Sequence, residues 1–351
     1  MTIRYEVLKA NHGDSILVSY AKDDVIFNLL IDGGPAKTFS GCLFEQGPLK
    51  KILGDLDKKE QVIDLLILTH VDDDHIGGLL EGFRSQSYLS KLTKRVWFNS
   101  GGTIEKHFKV TSSFNNELHI KAKSSRATSI KQGVFFEEYI SGLNIWDKVV
   151  ISSNDQTYNI GPMKFIILSP CEDNLKKLLV KWEKEVPVRI TSAKGNDYNS
   201  SFDELLESDN FEEDKSIHNG SSIAFILEVE NYKMIFLGDA HPSTIINKLK
   251  VLGYSRDNPI EADLVKISHH GSKYNTNSEL LDIIKSDNYI ISTDGSKHGL
   301  PHKVCLARIY NSNPRAKILF NYPHLIPKIF KSAEIDRLKE NIGEIGRVEM
   351  P

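Results

Sequence analysis

The sequence predicts a layered α/β fold, two packed sheets with helices outside, built from two strand-rich halves that flank a variable middle. Three observations lead there. The first third contains β-rich apolar runs punctuated by glycine turns. The run Ile63 to Leu68 is almost wholly apolar, as suits a strand covered on both faces. The last part alternates strand and helix patterns. At 351 residues the chain exceeds the usual size of one domain, and a single large domain over 1–351 that carries an insertion is the expectation.

Taken in order, Ile3 to Lys9 alternates, and Ser15 to Tyr20 and Val25 to Ile31 are β-rich. Gly13-Asp14 and Asp32-Gly33-Gly34 separate them as turns, which reads as an antiparallel meander. Residues 48 to 60 place Leu49, Ile52, Leu53 and Leu56 on one helical face, and 79 to 90 is helical again. Val96-Trp97-Phe98 reads as a short strand ending at Asn99-Ser100-Gly101-Gly102. Residues 103–148 have mixed character, with a helix-like stretch to Leu143, and are read as an insertion near the site. Strand signals return at 158 to 168, and a helix follows from about Glu172 to Glu185. The polar stretch 187–216, with Asp203, Glu204, Glu207, Asp209, Glu212, Glu213 and Asp214, is expected to be a mobile, solvated loop rather than an acidic docking tail. Beyond it, strands are expected at Ser222 to Val229, Lys233 to Leu237, Leu264 to Ser268 and Tyr289 to Ser292, with helices from Ser243, Ser278 and Pro301.

Composition narrows the function classes. With 40% apolar and 26% charged residues the chain matches a soluble globular protein and excludes global disorder. A net charge of -3 offers no global basic surface of the kind that drives non-specific nucleic-acid binding, although a local groove can still be basic. Cys42, Cys171 and Cys305 are widely spaced and odd in number, which argues against a disulfide framework and for a reducing compartment. The N-terminus turns polar within four residues and no apolar run approaches a bilayer span, so a cytoplasmic location without membrane contact is expected.

The chemistry concentrates in Leu68-Thr69-His70-Val71-Asp72-Asp73-Asp74-His75-Ile76-Gly77-Gly78, at the end of the buried strand. Unpaired buried carboxylates are costly, and metal ions remove that cost. Alternate residues of an extended segment point the same way, so His70 and Asp72 can share one ion while Asp74 and His75 turn to a second. The plainer account is an acidic helix start, but capping needs one carboxylate and not three.

His70-x-Asp72-x-Asp74-His75 resembles the H-x-H-x-D-H signature of the metallo-β-lactamase superfamily, with Asp in place of the second His. That variant resembles the hydrolase domain attached to bacterial DNA-uptake channel (competence) proteins. The resemblance covers about 1 to 100 and 158 to 310, and implies a four-layer αββα sandwich with an inserted helical and loop segment. It implies a metal set of His70, Asp72, Asp74, His75, Asp239 and one histidine of the His269-His270 pair. Of that pair His269 is read as the ligand and His270 as a neighbouring or substrate contact with a catalytic part. Where the superfamily usually places a third histidine, this chain has Asn219-Gly220-Ser221-Ser222, with His218 beside it. Asp14 and Asp32, in His12-Gly13-Asp14-Ser15 and Ile31-Asp32-Gly33-Gly34, are expected to orient the histidines, and Asn219 to support them. The segment Ser292 to His302 resembles the competence-type turn ending in Gly-His-Pro-His, departing from it at Leu300. Through that turn His302 and His298 inherit a role at the scissile phosphate or the leaving oxygen. Ser272 and Lys131 are further substrate contacts, Lys131 belonging with Lys121, Lys123 and Arg126 to a local basic patch.

The expected function is therefore hydrolysis, with Asp74, His270 and His302 as catalytic groups and two divalent ions, Mn²⁺ or Zn²⁺, holding a bridging hydroxide. A phosphodiesterase or nuclease acting on nucleic acid or nucleotides is the leading reading. A hydrolase of a small ester, lactone or phosphodiester is the alternative within the class. A non-catalytic binding subunit of a multi-protein defence system, with partners encoded in the same operon, is the alternative outside it.

Overall fold

The computed structural model describes residues 1–43, 45–84, 88–109, 129–154, 157–183 and 195–350. The first sheet collects β1 (Thr2–Val7), β2 (Ile16–Lys22), β3 (Val25–Ile31), β4 (Leu65–Ile67), β5 (Val96–Trp97) and, from the other end of the chain, β16 (Arg347–Met350). Its order is β16-β1-β2-β3-β4-β5. The second sheet holds β6 (Thr157–Ile160), β7 (Met163–Ser169), β8 (Ala224–Val229), β9 (Tyr232–Phe236), β11 (Leu264–Lys266), β13 (Asn288–Ile291), β14 (Lys317–Phe320) and β15 (Ile342–Glu344). The strands β10 (Ile260–Ala262) and β12 (Ile284–Ser286) pair separately in parallel.

The period of two in each strand sorts its side chains between layers. In β3, Phe27, Leu29 and Ile31 enter the core between the sheets, whereas Leu30 joins the core beneath the outer helices. In β8, Phe225, Leu227 and Val229 face the first sheet, while Ala224 and Ile226 face helices on the far side. Three apolar cores between four layers result, which is the αββα sandwich that the resemblance implied. Among the described residues no helix is long and apolar enough to cross a membrane.

Strand direction positions the site. The sheets are antiparallel through β1-β2-β3 and β6-β7-β8-β9, then turn parallel at β4 in one sheet and at β11 in the other. Open α/β sheets bind ligands beyond the C-terminal ends of parallel strands. Asp32 follows β3, Thr69 and His70 follow β4, Asp239 follows β9, and His269 and His270 follow β11, so these residues converge on one edge.

Some elements differ from the sequence reading. The helix expected from 79 begins at Asp73 and runs to Arg84, which puts Asp74 in its first turn. Within the stretch read as an acidic loop, the described residues include the helix Phe202–Glu207, started by a Ser201–Glu204 capping box. Asp209 accepts from the buried Arg308 guanidinium at 2.8 Å. The strands β14 to β16 carry no long apolar run, and β16 exists because β1 offers it an edge, Ile3 pairing with Met350. Lys121, Lys123 and Arg126 of the expected basic patch lie outside the described residues.

Candidate metal centre

The near half of the centre is built from Asp32 outward. Asp32, fully buried, accepts from the Thr69 backbone N–H and hydroxyl, each at 2.8 Å, and from His75 Nδ1 at 2.8 Å. The Thr69 hydroxyl thereby spends its proton on Asp32 and accepts from His70 Nδ1 at 3.1 Å. Both rings are fixed with Nδ1–H donating backwards and Nε2 facing forwards, the arrangement that carboxylates impose on metal-bound histidines. Asp72 approaches from the helix start. One of its oxygens, Oδ1, takes His218 Nδ1 at 2.7 Å and the Ser129 hydroxyl at 2.8 Å, and the other, Oδ2, lies 3.8 Å from His70 Nε2. Gly13 permits this closeness: a Cβ there would meet the Asp74 carbonyl oxygen at 1.9 Å, and Asp14 N–H donates to that carbonyl.

The far half comes from the second sheet. Asp239 places Oδ1 3.4 Å from His75 Nε2, and Oδ2 3.8 Å from both His70 Nε2 and His269 Nε2. His270 donates from Nδ1 to the Ser292 carbonyl at 2.8 Å and presents Nε2 to Asp74 Oδ2 at 3.4 Å. Behind it Asp14 pairs with the buried Lys266 ammonium. Asp14 Oδ1 lies 3.3 Å from His270 Nδ1, further than the Ser292 carbonyl, which is therefore the acceptor.

The electrostatics follow. Burial alone would raise the Asp14 carboxyl, but Lys266 and His270 hold it well below the usual range. Burial would pull His270 down, and Asp14 and Asp239 instead hold it up at about 9. Asp239 is likewise kept ionised against burial by His269, His75 and His270. His302 is the exception, since burial takes it down to about 4 despite Asp197. Its Nδ1 accepts from the Lys273 backbone N–H at 3.2 Å, so a neutral ring with Nε2–H is the form present near neutral pH.

The donor set fits divalent cations. His70 Nε2, His75 Nε2, His270 Nε2 and Asp239 Oδ1 are buried without a hydrogen-bond partner, yet their closest neighbours are one another and more carboxylate oxygens. Donor atoms gathered in that way demand positive charge among them, which protons supply when no metal ion does, as the raised His270 shows. His70, His75 and Asp239 form one group able to hold an ion, and Asp74, His75 and His270 another.

His70, Asp72, Asp74, His75, Asp239, His269 and His270 come together, with Asp32 and Asp14 bracing them. Of the pair, read from sequence as His269 the ligand and His270 a neighbouring contact, both reach the centre: His270, buried, faces Asp74, and His269 faces Asp239. Asn219 turns its amide to Asp214 at 2.6 Å. Lys131 sits in the first turn of the helix Ser129–Gly142, whose Ser129 reaches Asp72. His298 lies on the exposed turn before Pro301. The outward role expected of Ser272 does not fit its place: it is buried, and its hydroxyl accepts from Tyr274 N–H. The helix start after His302 is no open phosphate cradle either, since Asp197 already accepts from the N–H groups of Lys303 and Val304 at 2.7 and 2.9 Å. Thr69, Asp214 and Asn275 were not singled out from sequence. Only the Asp214 position in an acidic run gave any sign, and that run was read as solvated.

Residues 11–102 match the model of the metallo-beta-lactamase superfamily, over the segment that carries Asp14, Asp32, His70, Asp72, Asp74 and His75. That segment is similar to the metallo-beta-lactamase superfamily, and the sandwich of two sheets around it is consistent with that superfamily's fold. Among solved structures it is similar to the metallo-beta-lactamase fold protein YhfI from Bacillus subtilis, at 13% identity and TM-score 0.43, over 100% of both chains. It is also similar to Zn²⁺-bound PqqB from Methylobacterium extorquens, at 10% identity and TM-score 0.41, over 99% of each chain. Unliganded yeast PDE1 is similar at 13% identity and TM-score 0.41, over 90% of this chain and 96% of that one. No curated protein matches the chain.

Proposed function

We propose that this chain is a metal-dependent phosphodiesterase whose substrate is nucleic acid or a nucleotide. The observation that carries the substrate class is the presence of two lysines, Lys273 and Lys297, beside the histidines around an acidic centre. His12 and His298 each lie close enough to Asp74, His270 and Lys297 to share their fields, and His302 stands beside Lys273 and His269. Lysines so placed, with neutral imidazoles able to donate hydrogen bonds, suit an anion delivered to bound cations. When present, divalent cations would supply Lewis acidity toward a phosphoryl oxygen, and three carboxylates among the donors suit Mn²⁺ at least as well as Zn²⁺.

The side chains divide the remaining work. Asp32 and Thr69 hold His70 and His75 in one tautomer, and Ser292 does the same for His270. Asp72 is held by His218 and Ser129 with its second oxygen turned inward. His302, neutral and buried, acts as a hydrogen-bond donor to a phosphate or leaving oxygen rather than as a strong acid. The resemblance to the competence-type domain points to a polynucleotide.

The test is an assay with Mn²⁺ on single-stranded DNA, double-stranded DNA, RNA, cyclic dinucleotides and bis-nitrophenyl phosphate. Cleavage of a nucleic substrate supports the reading. Cleavage of bis-nitrophenyl phosphate alone moves the assignment to a small-molecule phosphodiesterase, and inactivity on all of them overturns it.

A further inference from the structure

We propose that His269 and His270 divide two ions between them, with His269 supplying to the His70–Asp72 side the imidazole that the superfamily usually takes from the position held here by Asn219. The inference rests on the metal-dependent reading but not on its substrate.

Asn275 is fully buried, and its amide nitrogen donates to Asp214 Oδ2 at 3.0 Å and to the Asp239 carbonyl at 3.1 Å. Two acceptors fix which way that amide points, so its oxygen must accept, and His269 Nδ1 stands 3.0 Å from it. His269 therefore carries its proton on Nδ1 and aims the Nε2 lone pair at Asp239 Oδ2, 3.8 Å away. A lone pair directed at a carboxylate oxygen across that gap calls for a cation between them.

Asp239 splits its oxygens: Oδ1 faces His75, while Oδ2 is equally distant from His70 and His269. His270 also lies 4.0 Å from Oδ2, but its nearer partner is Asp74 at 3.4 Å, which places it with His75. His218 Nε2 is likewise buried without a partner, but the ring's contact with the centre is to the outer oxygen of Asp72, whereas His269 reaches the Asp239 oxygen that His70 also faces. Asn219 holds the position and has its amide nitrogen 3.3 Å from His269 Nδ1, so the His269 ring lies against the side chain it replaces.

Consecutive residues of an extended segment project to opposite faces, so two adjacent histidines cannot normally serve one centre. Here both are left-handed, with φ of 47° and 55°, followed by Gly271 at 88°. Non-glycine residues occupy that region at a cost, and such strain persists where a site requires it. The turn is tied by His269 N–H to the Gly238 carbonyl and Ser272 N–H to the His269 carbonyl, both at 2.9 Å.

The test is Mn²⁺ binding, by calorimetry and by electron paramagnetic resonance, on wild type, His269→Ala, His270→Ala and Asn275→Leu, with circular dichroism confirming the fold. Wild type is expected to take up two ions with a coupled signal. Each histidine variant should keep one ion and show an isolated Mn²⁺ spectrum. Asn275→Leu, which retains the imidazole but frees its tautomer, should weaken one ion only, by about 10–100-fold. To identify the ion, Asp72→Asn is combined with His269→Ala, which should still leave one bound ion, and with His270→Ala, which should leave none. Two ions bound to His269→Ala at wild-type affinity would overturn the proposal, as would a single ion in wild type. If wild type binds no Mn²⁺, the metal-dependent reading falls with it. If binding follows the proposal but no phosphodiester is cleaved, only the substrate reading falls.

Discussion

The near and far halves of the centre are held by different means. In the near half, His70 and His75 lie five positions apart and share a single anchor, Asp32, through Thr69. In the far half, His269 and His270 are adjacent but have separate anchors, Asn275 with Asp214 for one and Ser292 with the Asp14–Lys266 pair behind it for the other. The near half is one strand end and one helix start, so a single loop positions its donors. The far half is assembled from strand ends, a left-handed turn and the acidic stretch, so its geometry depends on the whole second sheet. Loosening the shared anchor Asp32 should therefore affect both ions together, and loosening the separate anchors of His269 and His270 should affect them one at a time.

The largest effect expected is from Asp72→Ala combined with Asp74→Ala. Turnover should be abolished, with circular dichroism unchanged, because both residues leave a cluster whose carboxylates repel one another without cations. Turnover that persists would break the assignment of the near half. Next is Lys266→Met, which strands the buried Asp14 carboxylate without its ammonium. Removing one partner of a buried pair costs about 3–5 kcal/mol, read as a lowered urea midpoint. A smaller change in stability would show that Asp14 is neutral or solvated in the folded chain. Asp32→Ala should weaken both ions by about 10–100-fold each, since it frees two rings at once. The smallest effect is expected from Asp214→Ala, which loosens Asn219 and Asn275 but leaves every inward-facing donor in place. It should weaken one ion by about tenfold, the low end for such supports, and leave the other unaltered.

The same contrast explains what could be read from the chain alone. His70, Asp72, Asp74 and His75 are legible because they crowd one segment at the end of an apolar run, where nothing in ordinary packing asks for them. Asp239 and the histidine pair are legible because each follows an apolar strand in the expected order. The division of labour between His269 and His270 is not legible, since it depends on two left-handed φ angles and on an amide from Asn275. Asp214 was hidden for a related reason: seven acidic residues in a polar stretch read as solvated surface, and only the fold turns Asp209 and Asp214 inward. The helix Phe202–Glu207 had its capping residues in plain view at Ser201 and Glu204, but its surroundings outweighed them. In the sheets, strands with two apolar faces were visible from pattern, whereas β14, β15 and β16 are short and depend on neighbours far away in sequence.

The central claim is that side chains from both sheets meet around two cations. Equilibrium dialysis of chelator-free protein against Mn²⁺, followed by elemental analysis, tests it without reference to any substrate. The account predicts two ions per chain, both lost on treatment with a chelator, as a two-metal centre requires. Fewer than about one ion per two chains at saturation would contradict it, because the site reading leaves no other use for so many inward-facing lone pairs.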